Sequence, residues 1–557
     1  MLGVEEKALE GIRQIVGSEH LLTNLEDLKK YSTDTSEWLK MPAAVVFPAN
    51  TEEVAQIVKL ANRYKFPIWP FSKGKNWSYG ASMGLEAGAV ILMLDRMNRV
   101  VEVNEELAYA VIEPGVTQKQ LREYLDHNNI KLWTDCTDAT PEGSVVGNAM
   151  ERGIGYTPYW DHFGQLCGME VVLPSGEILR TGGGPENSRT ANVHKWGTGP
   201  YIEGLFAQAN FGIVTKAGIW LMPKPEKFVM FLLELAKEEY LPAVIDVLRY
   251  LSLNRILLSN VHLTNDVLFL SAMQPYPYDR LADGQTYLSA KEMASVREKY
   301  RISPWLLSGG VYGTRKQVRL QLKLLKQHLR PYGRFDLLSE ARLKIVAKIT
   351  RFWKRHQDYR MVNAFFRSVT GASLEKIEGL PQVYPIFKGI PGEFVLRIAY
   401  FKSQTPAPAE NLDPARDGTG FIWFSNIVPL TGSEIEKLQE LCTEIFHKHG
   451  FDFACTFVMI NPRCALTLQA IFYDKGNADE TKRAQALRKE LAAVLLAQGY
   501  QQYRTTVAYY DDILNCTPEF QKLANNIKRA LDPHHVISPG RYGIGLTPNA
   551  AEPQMFK

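Results

Sequence analysis

Tyr503-Arg504-Thr505 lies near the C-terminal end of the chain, and Tyr79 lies inside Pro70-Phe-Ser-Lys-Gly-Lys-Asn-Trp-Ser-Tyr79-Gly80. Together they offer two phenol hydroxyls and one guanidinium, the groups a pocket needs to hold and ionise a phenol. A free phenol titrates like a tyrosine side chain, at pKa ~10. Keeping it as phenolate at neutral pH takes a shift of roughly three units, or about 4 kcal/mol. Hydrogen bonds to a charged group contribute roughly 1.5–3 kcal/mol each, so one arginine and two tyrosine hydroxyls suffice. Tyr-Arg neighbours and a glycine-flanked tyrosine are also common in ordinary packing, so the surroundings decide between the two readings.

The elements that must position these residues belong to a long chain. At 557 residues it can bury more than one core, so two domains or one large domain with a cap are expected. The balance of 64 Lys+Arg against 60 Asp+Glu leaves +4, too even for a phosphate-driven nucleic-acid binder. Six cysteines, Cys136, Cys167, Cys442, Cys455, Cys464 and Cys516, lack CxxC or zinc-like spacing and read as buried thiols in a reducing compartment. There is no basic n-region followed by an apolar stretch and no run of ~18 apolar residues. The expectation is a soluble, cytoplasmic protein with no membrane partner.

The first 225 residues alternate strand and helix signals. Ala43-Ala-Val-Val-Phe-Pro48 predicts a strand, and Asn50-Thr-Glu-Glu53 a capping box opening a helix with Val54, Ile57, Val58 and Ala61 on one face. Phe66–Phe71 is the next strand and delivers the chain into the Gly74–Gly80 loop, placed at a sheet edge where backbone N–H groups can meet a ligand. Leu107–Ile112 predicts a strand and Thr117-Gln-Lys-Gln120 a second capping box. A polar, glycine-rich passage from Asp135 to Tyr159 follows without periodicity. Met169–Leu179 signals a hairpin and Gly212–Leu221 a strand, and Pro223-Lys-Pro225 punctuates the chain as a domain boundary. Beyond it, helices over Leu241–Leu251, Val318–Leu329, Ser433–Gly450 and Lys482–Gly499 interleave with strands such as Phe394–Tyr400 and Phe421–Val428. A last helix runs from Glu519 to Leu531.

Several motifs occur together in a fixed order: Gly74-Lys-Asn-Trp-Ser-Tyr-Gly80, Val111-Ile-Glu-Pro-Gly-Val116, Gly147-Asn-Ala-Met-Glu-Arg-Gly-Ile-Gly-Tyr-Thr-Pro-Tyr159, Gly168-Met-Glu-Val-Val-Leu173, Gly199-Pro-Tyr-Ile-Glu-Gly-Leu-Phe206, Gly212-Ile-Val-Thr-Lys216 and Gly499-Tyr-Gln-Gln-Tyr-Arg-Thr505. In this combination the chain resembles the flavoprotein family of vanillyl-alcohol oxidase, p-cresol methylhydroxylase and eugenol oxidase. The resemblance spans nearly the whole chain and is weakest in the middle third. It implies an α+β fold: a two-part FAD-binding domain, 1–225 and 500–557, with an α+β cap (substrate) domain, 226–499, inserted. No Rossmann fingerprint or Walker loop is present, which fits a fold that holds FAD by another device. The resemblance assigns Lys73, Gly74, Lys75, Asn76, Trp77 and Gly80 to the pyrophosphate loop, and Gly143, Ser144, Gly147, Asn148, Gly153, Gly155 and Tyr156 to the adenine and ribose side. Gly212, Ile213, Val214 and Arg541 complete the implied cofactor contacts.

The resemblance further implies that Tyr79, Tyr503 and Arg504 bind a substrate phenol as phenolate. Hydride then leaves the benzylic carbon for flavin N5, giving a p-quinone methide. A carboxylate near N5 serves as base for water attack: Asp138 if one residue is inserted before Gly143, whereas ungapped counting puts Ala139 there. Tyr156, Arg397, Glu410 and Trp423 correspond to substrate-pocket residues. Covalent flavin attachment in the family uses a histidine in the strand matching Gly420–Ser425 or a tyrosine a few residues after the residue matching Glu410; here Phe421, Ile422 and Asn411-Leu-Asp-Pro414 offer neither. Noncovalent FAD is expected.

His447-Lys-His449 looks metal-like but ends a helix, where cations suit the dipole, so no metal is expected. The basic stretch Arg315–Arg330 reads as a solvated helix face, with docking of an acidic electron carrier as its functional alternative. The expected activity is oxidation of 4-alkylphenols, 4-allylphenols or 4-hydroxybenzylic alcohols, with O2 or an electron-carrier protein as acceptor and a homodimer or higher homo-oligomer as assembly. Two rivals remain at this point: a 2-hydroxy acid or sugar oxidoreductase of the same fold, and an electron-transfer subunit with no substrate pocket.

Overall fold

The computed structural model describes residues 4–36, 38–182, 188–370, 372–510 and 518–545; Cys516 lies outside them. Its first sheet holds β1 (Leu21–Leu22), β2 (Ala44–Val46), β3 (Ile68–Phe71) and β4 (Val90–Met93) in the order β1-β2-β4-β3, with β2 and β3 parallel to β4. The connecting helix Thr51–Tyr64 starts where predicted: Asn50 accepts from the Glu53 N–H at 2.9 Å, and Val54, Ile57, Val58 and Ala61 are buried. Parallel strands buried on both faces explain the unbroken apolar runs.

The chain continues through β5 (Val100–Asn104), β6 (Tyr109–Ile112), β7 (Leu132–Trp133), β8 (Leu166–Val172), β9 (Ile178–Arg180), β10 (Ile213–Trp220) and β11 (Met222–Pro223). Strands β7 and β11 pair with each other, and the rest form an antiparallel sheet in the order β5-β6-β10-β8-β9.

The third sheet is antiparallel and seven-stranded. It comprises β12 (Lys227–Leu235), β13 (Val261–Asn265), β14 (Trp305–Gly313), β15 (Gly333–Leu338), β16 (Gly420–Pro429), β17 (Ala454–Asn461) and β18 (Cys464–Tyr473), ordered β15-β12-β14-β13-β17-β18-β16. The period of two sends Phe231, Leu233, Leu263, Leu307, Phe424 and Phe457 to one face. There they pack against the helices Leu241–Leu253, Arg315–Leu329, Gly432–Lys448 and Ala478–Ala497. The opposite face, with Leu232, His262, Thr264, Leu306, Thr456 and Leu468, roofs a cavity.

Three local expectations are corrected. Phe394–Tyr400 is not a strand: Val395–Tyr400 winds as 3-10 turns burying Leu396, Ile398, Ala399 and Tyr400, and a short apolar run carries no period that separates the two. The helix expected from Ser433 is capped by Thr431, whose side chain accepts from the Glu434 N–H at 3.3 Å. The glycine-rich passage contains a short helix, Val145–Met150, capped by Ser144 accepting from the Gly147 N–H at 2.8 Å.

Candidate active site

A cavity of about 430 Å3 runs between the open face of the seven-stranded sheet and the N-terminal part of the chain. Tyr79 enters it from a loop fixed by Asp34. The buried Asp34 carboxylate accepts from the N–H groups of Ser78 and Gly80 at 2.9 Å each, on either side of Tyr79. Gly80 sits at φ 103°, a conformation that excludes other residues without strain. Burial pushes the Asp34 carboxyl above its ordinary range, opposed by its backbone hydrogen bonds. The loop is also stitched to β16: the Trp423 N–H donates to Ser78 Oγ, and Thr35 Oγ1 donates to the Phe421 carbonyl at 2.7 Å.

Backbone pairing brings the Tyr503-Arg504 segment to the same end, where Arg504 lines the cavity and Tyr503 lies beside it, off the lining. The Ile427 N–H donates to the Gln501 carbonyl at 2.9 Å and the Tyr503 N–H to the Ser425 carbonyl at 3.1 Å, which lays this segment along the edge strand β16. Ser425 Oγ lies 3.0 Å from the Tyr79 hydroxyl. The Arg504 guanidinium stands 4.5 Å from the Tyr79 ring centre and 5.3 Å from that of Tyr503. The Tyr503 hydroxyl and Arg504 Nε are buried without a hydrogen-bond partner. Such atoms are costly unless a ligand satisfies them. Burial raises the Tyr503 phenol to about 12 against the pull of Arg504, and raises Tyr79 likewise. Both tyrosines are therefore neutral donors beside a cation.

Asp138 and Tyr156 form the second polar group, with the Tyr156 hydroxyl donating to Asp138 Oδ2 at 2.6 Å. Burial raises the Asp138 carboxyl, and the Tyr156 hydrogen bond lowers it in part. Tyr156 is stacked on His262 at 4.3 Å and meets Phe387 edge-on at 4.8 Å. Burial pulls the His262 imidazole down to about 3, so it is neutral, and its Nε2 has no partner. Asp135 holds this segment in place by accepting from the Tyr156 and Thr157 N–H groups at 3.2 Å each. Asp138 and Ala139 both line the cavity, and only Asp138 presents a carboxylate to it.

Trp423 lines the cavity, edge-on to Phe421 at 4.9 Å. Arg397 and Glu410 do not line it. Arg397 donates to the Ala409 carbonyl at 3.0 Å, and Glu410 is exposed on a proline-rich loop. Both sit around the 3-10 turn that replaced the expected strand, which moves them off the sheet face.

The other arm of the cavity is a groove that fits a dinucleotide. Lys73, Gly74, Lys75, Asn76 and Trp77 form one wall; Gly143, Ser144, Gly147 and Asn148 another; Gly212, Ile213, Val214 and Arg541 close it. The backbone approaches closely here: a Cβ at Gly147 would lie 2.8 Å from Ser72 Oγ. Lys73 pairs with Asp95 at 2.9 Å, Lys75 with Asp413 at 2.8 Å, and Arg541 with Glu151, leaving Arg541 Nε without a partner. Gly80, Gly153 and Gly155 are not on the lining. Gly153 and Gly155 instead make room for side chains of the scaffold, since a Cβ would fall 1.9 Å from Asn148 Oδ1 and 2.1 Å from Asp135 Oδ2. No sequence pattern assigns a role to Asp34, Asp135, Ser425 or His262. Their partners lie from 21 residues away, for Asp135 with Tyr156, to 346, for Ser425 with Tyr79, so no short-range spacing betrays them.

Residues 42–182 match the FAD binding domain family. The class is therefore an FAD-dependent flavoprotein oxidoreductase. Over 539 residues the chain is 34% identical to 1'-carboxy-chondrochloren decarboxylase of Chondromyces crocatus, covering 96% of this chain and 97% of that protein. It is 31% identical over 554 residues to the flavoprotein subunit of 4-cresol dehydrogenase (hydroxylating) of Pseudomonas putida, covering 98% and 96%. The solved 4-ethylphenol oxidase from Gulosibacter chungangensis, an isoeugenol complex, superposes with a TM-score of 0.84 at 28% identity over 98% of both chains. The chain belongs to the vanillyl-alcohol oxidase/p-cresol methylhydroxylase family of FAD-dependent oxidoreductases.

Proposed function

We propose that this protein oxidises para-substituted phenols at the benzylic carbon. The observation that carries this reading is the buried, unpartnered Tyr503 hydroxyl and Arg504 Nε beside Tyr79, a set of donors converging without an acceptor. A phenolate oxygen is the acceptor they lack. Two neutral phenols and a guanidinium stabilise its charge, and the ring then lies under Trp423 and the sheet face. Bound FAD supplies the oxidant that takes hydride from the benzylic carbon. Loss of hydride from a phenolate leaves a neutral p-quinone methide, whose carbonyl oxygen stays on the same three donors.

Asp138 then accepts a proton from water as its oxygen bonds to the benzylic carbon, and the ring oxygen becomes phenolate again. Loss of a proton from the adjacent carbon gives the vinyl product instead. Tyr156 holds the Asp138 carboxylate in orientation, making it a positioning residue. Asn411–Pro414, Phe421 and Ile422 supply neither histidine nor tyrosine, and Asp413 is paired with Lys75, which supports noncovalent FAD. Acid precipitation releasing yellow FAD into the supernatant checks this.

A substrate carboxylate, which the name of the decarboxylase relative suggests for that protein, would need a free cation beyond Asp138. There Lys376 is paired with Glu234 at 2.7 Å and His262 is neutral. The acceptor is O2 or an electron carrier, and the substrate a small phenol. Anaerobic mixing of the FAD-loaded protein with 4-ethylphenol tests the reading: the flavin bleaches at once. Bleaching by a 2-hydroxy acid, with none by the phenol, overturns it.

A further inference from the structure

The roof of the cavity is a ruler. Register across the seven-stranded sheet aligns Ser425, Leu468, Thr456, Thr264, Leu306 and Glu234 in one row, from β16 to β12. The row crosses five strand spacings of ~4.8 Å, roughly 24 Å in all. Ser425 marks one end, where it touches the Tyr79 hydroxyl; Glu234 marks the other, where it pairs with Lys376 on the helix Leu374–Val383.

Tyr156 and Asp138 fall part-way along. Tyr156 stacks on His262, which lies in the neighbouring row on β13, so the base position sits below β13 and β17. Two more strands, β14 and β12, extend the roof beyond it by about 10 Å. That extension belongs to the same cavity and, apart from Ser308 on β14 and its charged end, is apolar: Met230, Leu232 and Leu306 above, Leu380, Val383 and Phe387 below. Its charged end is already satisfied, because Lys376 Nζ donates to Glu234 and, at 2.8 Å, to the Arg301 carbonyl. Exposed Glu375 marks where it meets solvent. A methyl or ethyl substituent leaves the whole extension without a ligand.

We infer that the space beneath β14 and β12 is a subsite for a lipophilic para substituent, so that the substrates this chain takes best are phenols carrying a hydrophobic chain of several carbons that runs away from the phenolate clamp toward the helix Leu374–Val383. This rests on the phenol reading above. The chain enters with its polar head first, the benzylic carbon stops at Asp138, and the tail displaces water from walls that offer it little hydrogen bonding.

The test compares 4-ethylphenol with 4-hexylphenol on the FAD-loaded protein by anaerobic flavin reduction and steady-state kcat/KM. Each buried methylene is worth a factor of about four, so 4-hexylphenol is expected to exceed 4-ethylphenol in kcat/KM by tenfold or more. Val383→Phe, which narrows the floor, lowers the hexyl-to-ethyl ratio; Leu306→Phe, which lowers the roof, does so as an independent check should the first variant fold poorly. Rapid bleaching by 4-ethylphenol with an equal or lower kcat/KM for 4-hexylphenol overturns the subsite and leaves the phenol reading standing. No bleaching by either phenol removes both.

Discussion

The two ends of the cavity lie under one face of one sheet and differ in character. At the β16 end, donors are left over: the Tyr503 hydroxyl and Arg504 Nε have no partner and Tyr79 leans on Ser425. At the β12 end the buried charge is matched, Lys376 to Glu234, Glu375 is exposed, and the walls between are mostly aliphatic or aromatic. Between its end residues Ser425 and Glu234 the sheet's row is neutral, Leu468, Thr456, Thr264 and Leu306, so the sheet accounts for little of this difference. Groups from outside the sheet make it, the Tyr79 loop clamped by Asp34 and the segment carrying Tyr503 and Arg504 along the β16 edge. Chemistry is added to a neutral roof at one end and withheld at the other.

The sharpest way to break this contrast is to remove the cation. Arg504→Met is expected to lower kcat/KM for 4-ethylphenol by on the order of 10^3-fold with FAD content unchanged, the scale of losing a charged transition-state contact plus its phenolate bias. The pH profile checks the cause. With Arg504 the bound phenol ionises below neutrality, so the rate is flat through neutral pH; without it the phenol pKa returns toward ~10 and the rate climbs as pH rises.

Tyr503→Phe removes one neutral donor and is expected to cost about 10- to 100-fold, read as kcat/KM with the spectrum of bound flavin unaltered.

Asp138→Asn separates chemistry from stability. Burial holds this carboxyl above its ordinary value, so folding favours the protonated form: that stability is present below the unfolded pKa of about 4 and lost as pH rises through the folded one. The variant is therefore expected to show an unchanged or raised Tm at neutral pH together with a shift of product away from water addition. An unaltered rate and product distribution removes Asp138 from the base position.

Arg397→Ala and Glu410→Ala, both off the cavity wall, are expected to change kcat/KM less than about twofold, the ordinary scale for substitutions away from a site.

How far the sequence reaches follows the same division. The Gly74–Gly80 loop, the Asn50 and Thr117 caps and the Tyr503-Arg504 pair are local patterns, and they fold as local patterns. Trp423 alternates correctly on β16 because period two fixes its face. What escaped is nonlocal. Asp34 sits in Ser32-Thr-Asp-Thr-Ser36, which has no distinguishing period, yet it positions Tyr79 by two hydrogen bonds across the chain. His262 carries no local signal of its own, and only the register of β13 turns it toward Tyr156. Arg397 reads as a strand residue because a short, mostly apolar run such as Phe394–Tyr400 carries no period that separates a 3-10 turn from a strand.

The central claim is that this site ionises a phenol, and a phenol that cannot react tests it most directly. 4-tert-Butylphenol has no benzylic hydrogen to give up. Bound to the FAD-loaded protein at neutral pH, it is expected to show the ultraviolet difference spectrum of a phenolate, and Arg504→Met is expected to abolish that signal. Binding with the spectrum of the neutral phenol would contradict the account.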